Sequence, residues 1–386
     1  MIHIAKPNIG IEEKRAVLEV LNSAMLAQGD VVLEFEKELC DYFGVGHAIV
    51  TSNGTTALHA ALIANGIGLG DEVITTSFSF IATGNVIKMC LAKPVFVDVD
   101  LDSFNIDVSL IEKAITSKTK AIMPVHLFGR PAQMDEIERL AKRYNLIVIE
   151  DSCQAHGATF NGKKVGSYGT GCFSFYPTKN MTTGEGGVIL TNDEKVASDL
   201  RKIISHGSVK RYYHDSLGFN YRMTNISAAI GLEQLKKLDY FNSRRINNAK
   251  YLNENLEGIA GLVLPKIVDG HVFHQYTIRL TSEFGISRDE FISLLREGGV
   301  GSSVFYPLPI HKQEAYKEFN HICLSVSEKV SREVVSLPVH PLVDYDDLVK
   351  IVSVIKDICK GKEVGENNAI LKEVVEENVL AEEEEN

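Results

Sequence analysis

Residues 47–191 alternate between short apolar runs and longer amphipathic stretches. The apolar runs are rich in β-branched residues, which is typical of strands that are buried on both faces of a sheet. We predict seven strands, with the sequences HAIV, DEVIT, PVFVDV, KAIMPV, NLIVIE, CFSF and GVILT. Stretches such as TTALHAALIANG and MDEIERLAKRYN lie between some of these runs and are predicted to be helices.

This alternation of strand and helix predicts an α/β fold in which a mostly parallel sheet carries helices on both faces. In sheets of this kind, ligands bind where the strands end at their carboxyl termini. The residues that directly follow each apolar run are therefore where we expect the functional side chains.

After the last of these runs, the pattern changes. Residues 194–205 and 225–257 are predicted to be helical, and the second stretch reads as one long helix with small residues early. A smaller α/β pattern follows, with an apolar run HQYTIRL and a helical stretch SRDEFISLLREGG. We predict a large domain at 1–245, a small C-terminal domain at 246–360 and an acidic tail at 361–386.

The net charge of −11 is concentrated in this tail. Residues 361–386 hold nine Glu and two Lys, a net charge of −7, which leaves −4 for the rest of the chain. We predict a solvated, disordered tail, with a short helix as the alternative because its apolar residues recur at roughly helical spacing. The acidic balance argues against nucleic-acid binding, which needs a basic surface.

The composition, 45% hydrophobic and 24% charged, is that of a soluble globular protein. No apolar run is long enough to span a membrane, and the N-terminus lacks the layout of a signal peptide. The six cysteines are scattered without a C-x-x-C pair, which favours reduced thiols and argues against a zinc site. We therefore predict a cytoplasmic protein that holds no metal and does not contact a membrane.

The stretch TSNGTTALHAAL places a strand end, a glycine turn and a helix start in succession. Backbone amides, the hydroxyls of Thr55 and Thr56 and the helix dipole together make a site suited to a phosphate group. The same residues would equally serve as an ordinary helix cap, with Asn53 or Thr55 as the capping residue. The chain has neither G-x-x-x-x-G-K-S/T nor G-x-G-x-x-G, so the P-loop and Rossmann motifs are absent.

The strand LIVIE is followed by a second candidate, in the stretch EDSCQAHGA. Asp151 falls at the carboxyl end, and no Lys or Arg lies near it in sequence, so its carboxylate needs a cationic partner such as a protonated ring nitrogen. Gln154 follows three residues later and is placed to reach the same ligand. The alternative is that Asp151 simply caps the next turn.

A third candidate is Lys179, in the stretch FSFYPTKNMTTGEGG. Ser174 and the TTGEGG loop are expected to surround it with hydroxyls and backbone donors. A lysine screened from water has a lowered pKa and forms a Schiff base with an aldehyde. A lysine, an aspartate for a pyridinium nitrogen and a phosphate site are the three requirements of pyridoxal 5′-phosphate.

The chain resembles the DegT/DnrJ/EryC1/StrS aminotransferases over roughly residues 3–357. The motifs that carry the resemblance are SNGTTAL, EDSCQAHGA, FSFYPTKNMTTGEGG and GFNYRMTNISAAIG. The resemblance implies a fold-type I, aspartate-aminotransferase-like enzyme that uses pyridoxal 5′-phosphate. It also implies that Lys179 is covalently linked to the cofactor, that Asp151 pairs with its pyridine nitrogen and that Gln154 binds its phenolic oxygen.

The same resemblance assigns the remaining site residues. It implies that the phosphate is bound by Gly54, Thr55 and Ser174, and that the ring of Phe80 stacks on the cofactor, for which a flat apolar face suffices. It assigns Asn220 to the phosphate held by a partner subunit, so that a homodimer builds each active site at its interface. The alternative is that Asn220 and Arg222 cap the helix that follows.

The loop VFYPLPIHKQEAY, with Tyr306 and His311, resembles a segment that faces the nucleotide sugar. The family resemblance implies amino transfer from an amino acid, expected to be glutamate, to a keto-sugar nucleotide, in the biosynthesis of polysaccharide or glycan precursors. We favour a UDP-N-acetylhexosamine-derived 3-keto sugar or a GDP-4-keto sugar.

Two other functions compete with this one. The first is a pyridoxal-phosphate-dependent sugar dehydratase of the same family. In those relatives a His replaces the lysine, so Lys179 disfavours that function. The second is a regulatory protein that keeps the fold without turnover. The full set of Lys179, Asp151, Gln154 and Ser174 gives no sign of lost activity.

Overall fold

The computed structural model describes residues 1–361, so all but the first residue of the acidic tail lies outside the described part of the chain. The α-helices are α1 (Ile11–Ser23), α2 (Asp30–Phe43), α3 (Gly54–Ala64), α4 (Ala82–Met89), α5 (Val108–Ala114), α6 (Met134–Tyr144), α7 (Glu194–Ile203), α8 (Asn225–Leu256), α9 (Arg288–Glu297) and α10 (Ser325–Glu333). The described chain ends in helical residues 345–361.

The strands are β1 (His47–Thr51), β2 (Glu72–Thr76), β3 (Lys93–Val97), β4 (Thr119–Met123), β5 (Ile147–Asp151), β6 (Thr159–Phe160), β7 (Lys163–Lys164), β8 (Thr170–Ser174), β9 (Gly187–Thr191), β10 (Ser208–Lys210), β11 (Tyr213–His214), β12 (Leu262–Val263), β13 (Tyr276–Leu280) and β14 (Val334–Leu337). Short 3₁₀ turns lie at Leu127–Gly129, Ser282–Phe284, Ile310–Lys312 and Glu314–Phe319.

The main sheet has seven strands in the order β1-β9-β8-β5-β4-β2-β3, and each of them coincides with one of the predicted apolar runs. The pairs β8–β5, β5–β4, β4–β2 and β2–β3 are parallel, whereas β9 is antiparallel to both of its neighbours. The prediction of a mostly parallel sheet is thus confirmed. Strand β9 is reversed because a loop without a crossover helix joins it to β8.

Both faces of the sheet are covered. In β1, Ile49 packs into the cluster formed with α3 and α7, while its neighbour Val50 packs into the cluster formed with α2 and α8. Successive side chains of a strand point to opposite faces, so a strand covered on both faces must be apolar throughout. This constraint explains why the seven strands read as continuous apolar runs in the sequence.

The C-terminal part of the chain has its own three-stranded antiparallel sheet, β12-β13-β14. Buried residues between 249 and 355, together with Ile2, form a separate hydrophobic cluster around it. Helix α8 is 32 residues long, so the predicted boundary at residue 245 lies inside this helix. The division into domains at 245 and 360 stays a prediction.

Helix α8 lies very close to α2. A Cβ atom at Gly231 would approach Cζ of the buried Phe35 to 2.4 Å, closer than real Cβ atoms come to their neighbours. The small residues at the start of α8, evident in the sequence, therefore let the long helix pack closely against α2.

We predict that Gly231→Ala lowers the free energy of unfolding by about 1–3 kcal/mol, because the added methyl group overpacks the contact with Phe35. Urea unfolding of the variant and the wild type measures the difference. Ser243→Ala, on the exposed side of the same helix, is the control and should stay within about 0.5 kcal/mol. Equal urea midpoints for Gly231→Ala and the wild type would show that α2 and α8 accommodate the added methyl group without a loss of stability.

Candidate active site

The candidate site lies at one edge of the main sheet. The carboxyl ends of β1, β2, β5 and β8 all open onto this edge, because these strands run in the same direction. The segments that follow them contain the site residues expected from the sequence, apart from Asn220. The fold thus collects segments that are far apart in the chain, as expected for a parallel α/β sheet.

The segment after β1 forms a capped helix start. The Asn53 Oδ1 atom accepts from the Thr56 backbone N–H at 2.9 Å, and the Thr56 Oγ1 atom accepts from the Asn53 N–H at 3.2 Å. The alternative that Asn53 caps a helix is therefore confirmed, and it does not compete with a phosphate site. The first-turn amides of Gly54 and Thr55 have no acceptor within the helix and are free to bind an anion.

Gly54 packs directly against Ser174, the last residue of β8. A Cβ atom at position 54 would lie 2.6 Å from the Ser174 Cβ and 3.1 Å from both the Ser174 Oγ and the Cys153 Sγ. Only glycine allows the start of α3 to come this close to the serine hydroxyl. The structure thus brings together Gly54, Thr55 and Ser174, the three residues expected to bind a phosphate.

The two acidic residues at the end of β5, Glu150 and Asp151, have different partners. Glu150 is fully buried and accepts hydrogen bonds from the backbone amides of Gly166, Tyr168 and Gly169 at 2.7–3.0 Å. It also lies 3.1 Å from the Nε2 atom of His126. Because these partners occupy both of its oxygens, Glu150 has a structural role and Asp151 is left for a ligand.

Asp151 is only 5% exposed, and within residues 1–361 it has no ion pair with a Lys or Arg. Its Oδ2 atom accepts from Thr83 Oγ1 at 2.8 Å, and its Oδ1 atom accepts from the Cys153 amide at 3.3 Å. A buried carboxylate without a cationic partner is costly unless a ligand supplies the positive charge. Thr83 was not identified from the sequence, where nothing marks it as a neighbour of Asp151.

Gln154 is held at both ends of its amide group. Its Oε1 atom accepts from the Phe128 backbone N–H at 2.9 Å, and its Nε2 atom donates to Tyr306 Oη at 3.0 Å. The amide has a second N–H that these two contacts do not use. Tyr306, which the sequence connected only with a sugar-facing loop, is thus a direct neighbour of Gln154.

His311 does not face the site. It is fully buried, with its ring nitrogens 2.7 Å from Ser77 Oγ and 3.2 Å from Glu328 Oε1. Since both nitrogens already have partners, His311 connects segments of the fold. The expectation that the loop VFYPLPIHKQEAY faces the nucleotide sugar stays a prediction.

Lys179 lies in the loop between β8 and β9. Among the described residues, its amine has no hydrogen-bond partner and no ion pair. Burial lowers the pKa of the Lys179 ammonium group from its usual value, with the Asp151 carboxylate acting in the opposite direction. The unprotonated amine, which is the nucleophilic form, is therefore more accessible than on an exposed lysine.

The hydroxyls of the loop do not surround the amine as expected. Thr182 Oγ1 donates to the Phe175 carbonyl at 2.8 Å, and Thr183 Oγ1 donates to the Glu185 carbonyl at 2.7 Å. These contacts fix the loop itself and leave the amine of Lys179 free.

Phe80 is 53% exposed, and its ring centroid lies 6.1 Å from that of Tyr306. An aromatic ring exposed to this extent is available to stack on a flat ligand.

Asn220 is exposed, and the segment that carries it runs along the end of β1, where Arg222 pairs with Thr51 and the Ser52 amide donates to the Tyr221 carbonyl at 2.7 Å. The Asn220 Oδ1 atom accepts from Arg222 Nε at 3.1 Å, and its backbone pairs with Ser205. The alternative that Asn220 and Arg222 cap α8 is wrong, because Thr224 is the cap and its Oγ1 accepts from the Ser227 amide at 3.2 Å.

Two further findings bear on the class of protein. No helix within the described chain is both long and apolar enough to cross a membrane. Among residues 1–361, no group of three or more His, Cys, Asp or Glu side chains is arranged to hold a metal ion.

Residues 7–356 match the model of the DegT/DnrJ/EryC1/StrS aminotransferase family, and the chain belongs to this family. A GDP-perosamine synthase from Caulobacter vibrioides is 40% identical over 365 residues, covering 92% of this chain and 98% of that protein. A UDP-N-acetyl-3-dehydro-alpha-D-glucosamine 3-aminotransferase from Acidithiobacillus ferrooxidans is 40% identical over 347 residues, covering 89% and 92%. A "pleiotropic regulatory protein" from Geobacillus stearothermophilus is 45% identical over 338 residues, covering 86% and 90%.

Among solved structures, the aminotransferase PseC of Helicobacter pylori, involved in the biosynthesis of pseudoaminic acid, superimposes with a TM-score of 0.89. It is 32% identical, and the match covers 93% of this chain and 99% of that one. NtdA from Bacillus subtilis, solved with bound cofactor PMP, gives a TM-score of 0.84 at 33% identity, covering 91% and 83%. The predicted fold class is confirmed, and the chain is a sugar aminotransferase that uses pyridoxal 5′-phosphate.

The described residues fit this cofactor. The unpaired carboxylate of Asp151 suits a protonated ring nitrogen, the unpartnered amine of Lys179 suits an aldehyde, and the contact of Gly54 with Ser174 suits a phosphate. The individual roles of the predicted site residues stay predictions.

We predict that Gly54→Ala weakens binding of pyridoxal phosphate by at least about 10-fold, equivalent to about 1.4 kcal/mol. The added methyl group would collide with Ser174 and separate it from the start of α3. Titration of the cofactor-free protein with pyridoxal phosphate, followed by absorbance, measures the affinity. Gly68→Ala is the matched control, because its added methyl group meets no atom within 4 Å. Unchanged affinity of Gly54→Ala would remove Gly54 from the phosphate site.

Proposed function

We propose that the protein moves an amino group from an amino acid, glutamate, to a keto sugar carried on a nucleotide. The observation that carries this proposal is the juxtaposition of an unpartnered lysine amine with a buried, unpaired aspartate at the carboxyl edge of the sheet. Two relatives that act on nucleotide sugars by name, at 40% identity over most of the chain, support the substrate class.

Lys179 has two tasks in this proposal. Its amine would hold the cofactor covalently in the resting enzyme, and as a free amine it would take up the α-proton of the amino acid as general base. Its lowered pKa favours the unprotonated form that both tasks need at the start. Pyridoxal phosphate, when bound, supplies the electron sink for the charge that the departing proton leaves behind.

The other site residues would fix the position of the cofactor. Asp151 would pair with the protonated ring nitrogen, and the free N–H of Gln154 would donate to the phenolic oxygen. Phe80 would cover one face of the ring, and the start of α3 with Ser174 would hold the phosphate. Water releases the donor as its 2-oxo acid in the first half of the reaction. In the second half the keto sugar accepts the nitrogen and loses its carbonyl oxygen as water, and Lys179 would deliver a proton to the sugar carbon.

The subunit arrangement and the cellular role are part of the proposal. Asn220 is exposed and does not cap α8, so its side chain is available to a second subunit. We propose a homodimer in which Asn220 completes the phosphate site of the partner. A spore coat polysaccharide biosynthesis protein from Bacillus subtilis is 38% identical over 377 residues, which supports a role in polysaccharide precursor synthesis. We place this role in the cytoplasm.

We predict that Lys179→Ala forms no adduct that borohydride can fix and loses at least about 100-fold of its transamination rate, because one amine serves as anchor and base. Mass spectrometry of the reduced, digested protein locates the adduct. Lys142→Ala, at an exposed lysine of α6, is the control and should keep both adduct and rate. A wild-type protein that binds pyridoxal phosphate without a reducible adduct would contradict the proposal. Binding with an adduct but without transamination would favour the regulatory alternative.

We predict that Asn220→Ala weakens retention of pyridoxal phosphate by about 10- to 100-fold without dissociating the dimer, because one hydrogen bond to a charged group is lost. Dialysis of the loaded protein and size-exclusion chromatography measure the two properties. Asn320→Ala, at another exposed asparagine, is the control.

Mixed dimers test whether Asn220 acts across the interface. A dimer with one Asn220→Ala subunit and one Lys179→Ala subunit then has one site with both defects and one intact site. We expect such dimers to recover about half of the wild-type adduct. The mixed dimers are dialysed before reduction, because the Asn220→Ala subunit keeps Lys179 in either case. Recovery well below half, at the reduced retention of the Asn220→Ala homodimer, would place Asn220 in the site of its own subunit.

A further inference from the structure

Two hydroxyl groups lie in line behind the buried aspartate. Thr83, the second residue of α4, is fully buried, and its Oγ1 atom lies 2.8 Å from Asp151 Oδ2. Ser79, in the loop after β2, is 3% exposed, and its Oγ atom lies 2.8 Å from Thr83 Oγ1. Thr83 and Asp151 are 68 residues apart in the chain.

The chemistry of the three groups fixes the direction of these hydrogen bonds. An ionised carboxylate only accepts, so the single hydroxyl hydrogen of Thr83 must point at Asp151. Because that hydrogen is then in use, Ser79 must donate to Thr83. A chain of bonds that point the same way polarises each member and strengthens the last bond.

We propose that Ser79 and Thr83 form a hydroxyl relay that orients the Asp151 carboxylate, and that Thr83 is therefore a positioning residue of the amino-transfer reaction. The proposal rests on the assigned role of Asp151 as partner of the ring nitrogen.

The relay has a specific consequence for Asp151. A carboxylate has about four acceptor positions. Thr83 occupies one on Oδ2, and the Cys153 amide occupies one on Oδ1. Two contacts on different oxygens prevent rotation of the carboxylate about its terminal torsion. The remaining positions are then held in a fixed direction, which a planar cofactor with one ring nitrogen requires.

The relay also gives a buried carboxylate a hydrogen-bond donor from the chain itself. A buried polar group needs such partners, and a protonated ring nitrogen would add one more. No lysine or arginine within residues 1–361 forms an ion pair with Asp151, so hydroxyl and amide donors are what the chain itself provides.

The decisive comparison is between Thr83→Val and Thr83→Ser. Valine has nearly the shape of threonine but leaves Asp151 without its donor, whereas serine keeps the hydroxyl and loses a methyl group. We expect Thr83→Val to lower kcat about 10- to 100-fold with a smaller change in KM, because a hydrogen bond to a charged group is lost. We also expect a shifted visible spectrum and weaker retention of pyridoxal phosphate. Thr83→Ser should lie within about 3-fold of the wild type.

Ser79→Ala is the second variant, and it leaves Thr83 and Asp151 themselves unchanged. The relay then loses only its first member, so we expect a decrease in kcat of about 3-fold and a spectral shift in the same direction as in Thr83→Val. If Thr83→Val does not fold, Ser79→Ala alone still tests the relay. Borohydride reduction of every variant shows separately whether Lys179 still binds the cofactor.

The outcomes are distinct. Loss of kcat and a spectral shift in Thr83→Val and Ser79→Ala, with recovery in Thr83→Ser, supports the relay. An equal loss of kcat in Thr83→Val and Thr83→Ser would show that Thr83 matters through packing, and this result would overturn the relay. Wild-type spectra and rates in both Thr83→Val and Ser79→Ala would also overturn it. A wild-type protein without a reducible adduct would overturn the proposed function itself.

Discussion

The candidate site depends on one physical constraint, which is that a buried negative charge requires a partner. Asp151 is almost wholly buried at the end of a central strand, and the described chain offers it one hydroxyl and one amide but no cation. Such a group is tolerated in a fold only where a bound molecule completes it, since removing a carboxylate from water costs several kcal/mol without compensation. In the proposed function, Lys179 and the phosphate site formed by Gly54, Thr55 and Ser174 would hold the molecule that brings this cation.

Its neighbour in sequence shows how the fold resolves two adjacent acids. Glu150 is buried more completely than Asp151, yet it needs nothing from a ligand, because three backbone amides and His126 satisfy it. The alternation of a strand sends one carboxylate into the structure and the other to the edge. Of these two neighbours, Glu150 thus stabilises the fold and Asp151 is a candidate site residue.

The strand pattern could be predicted from the sequence because burial on both faces forces each central strand to be apolar throughout. The candidate site could be predicted where short motifs such as NGTT, EDSCQ and PTKN follow those strands. Thr83 could not, because its significance depends on a contact 68 residues away that no local pattern encodes. Likewise the contact of Gln154 with Tyr306 spans 152 residues, and the two partners of the buried His311 come from two separate segments.

The reversed strand β9 has a consequence for the lysine. The loop that carries Lys179 leaves the sheet on β8 and returns to it on β9, and its own threonines tie it to backbone carbonyls. Both of its ends are therefore fixed in a hydrogen-bonded ladder, and the backbone at Lys179 has little freedom to swing. If Lys179 transfers the proton as proposed, its movement would come from the flexible four-carbon side chain, whose length then limits the distance over which a proton can be delivered.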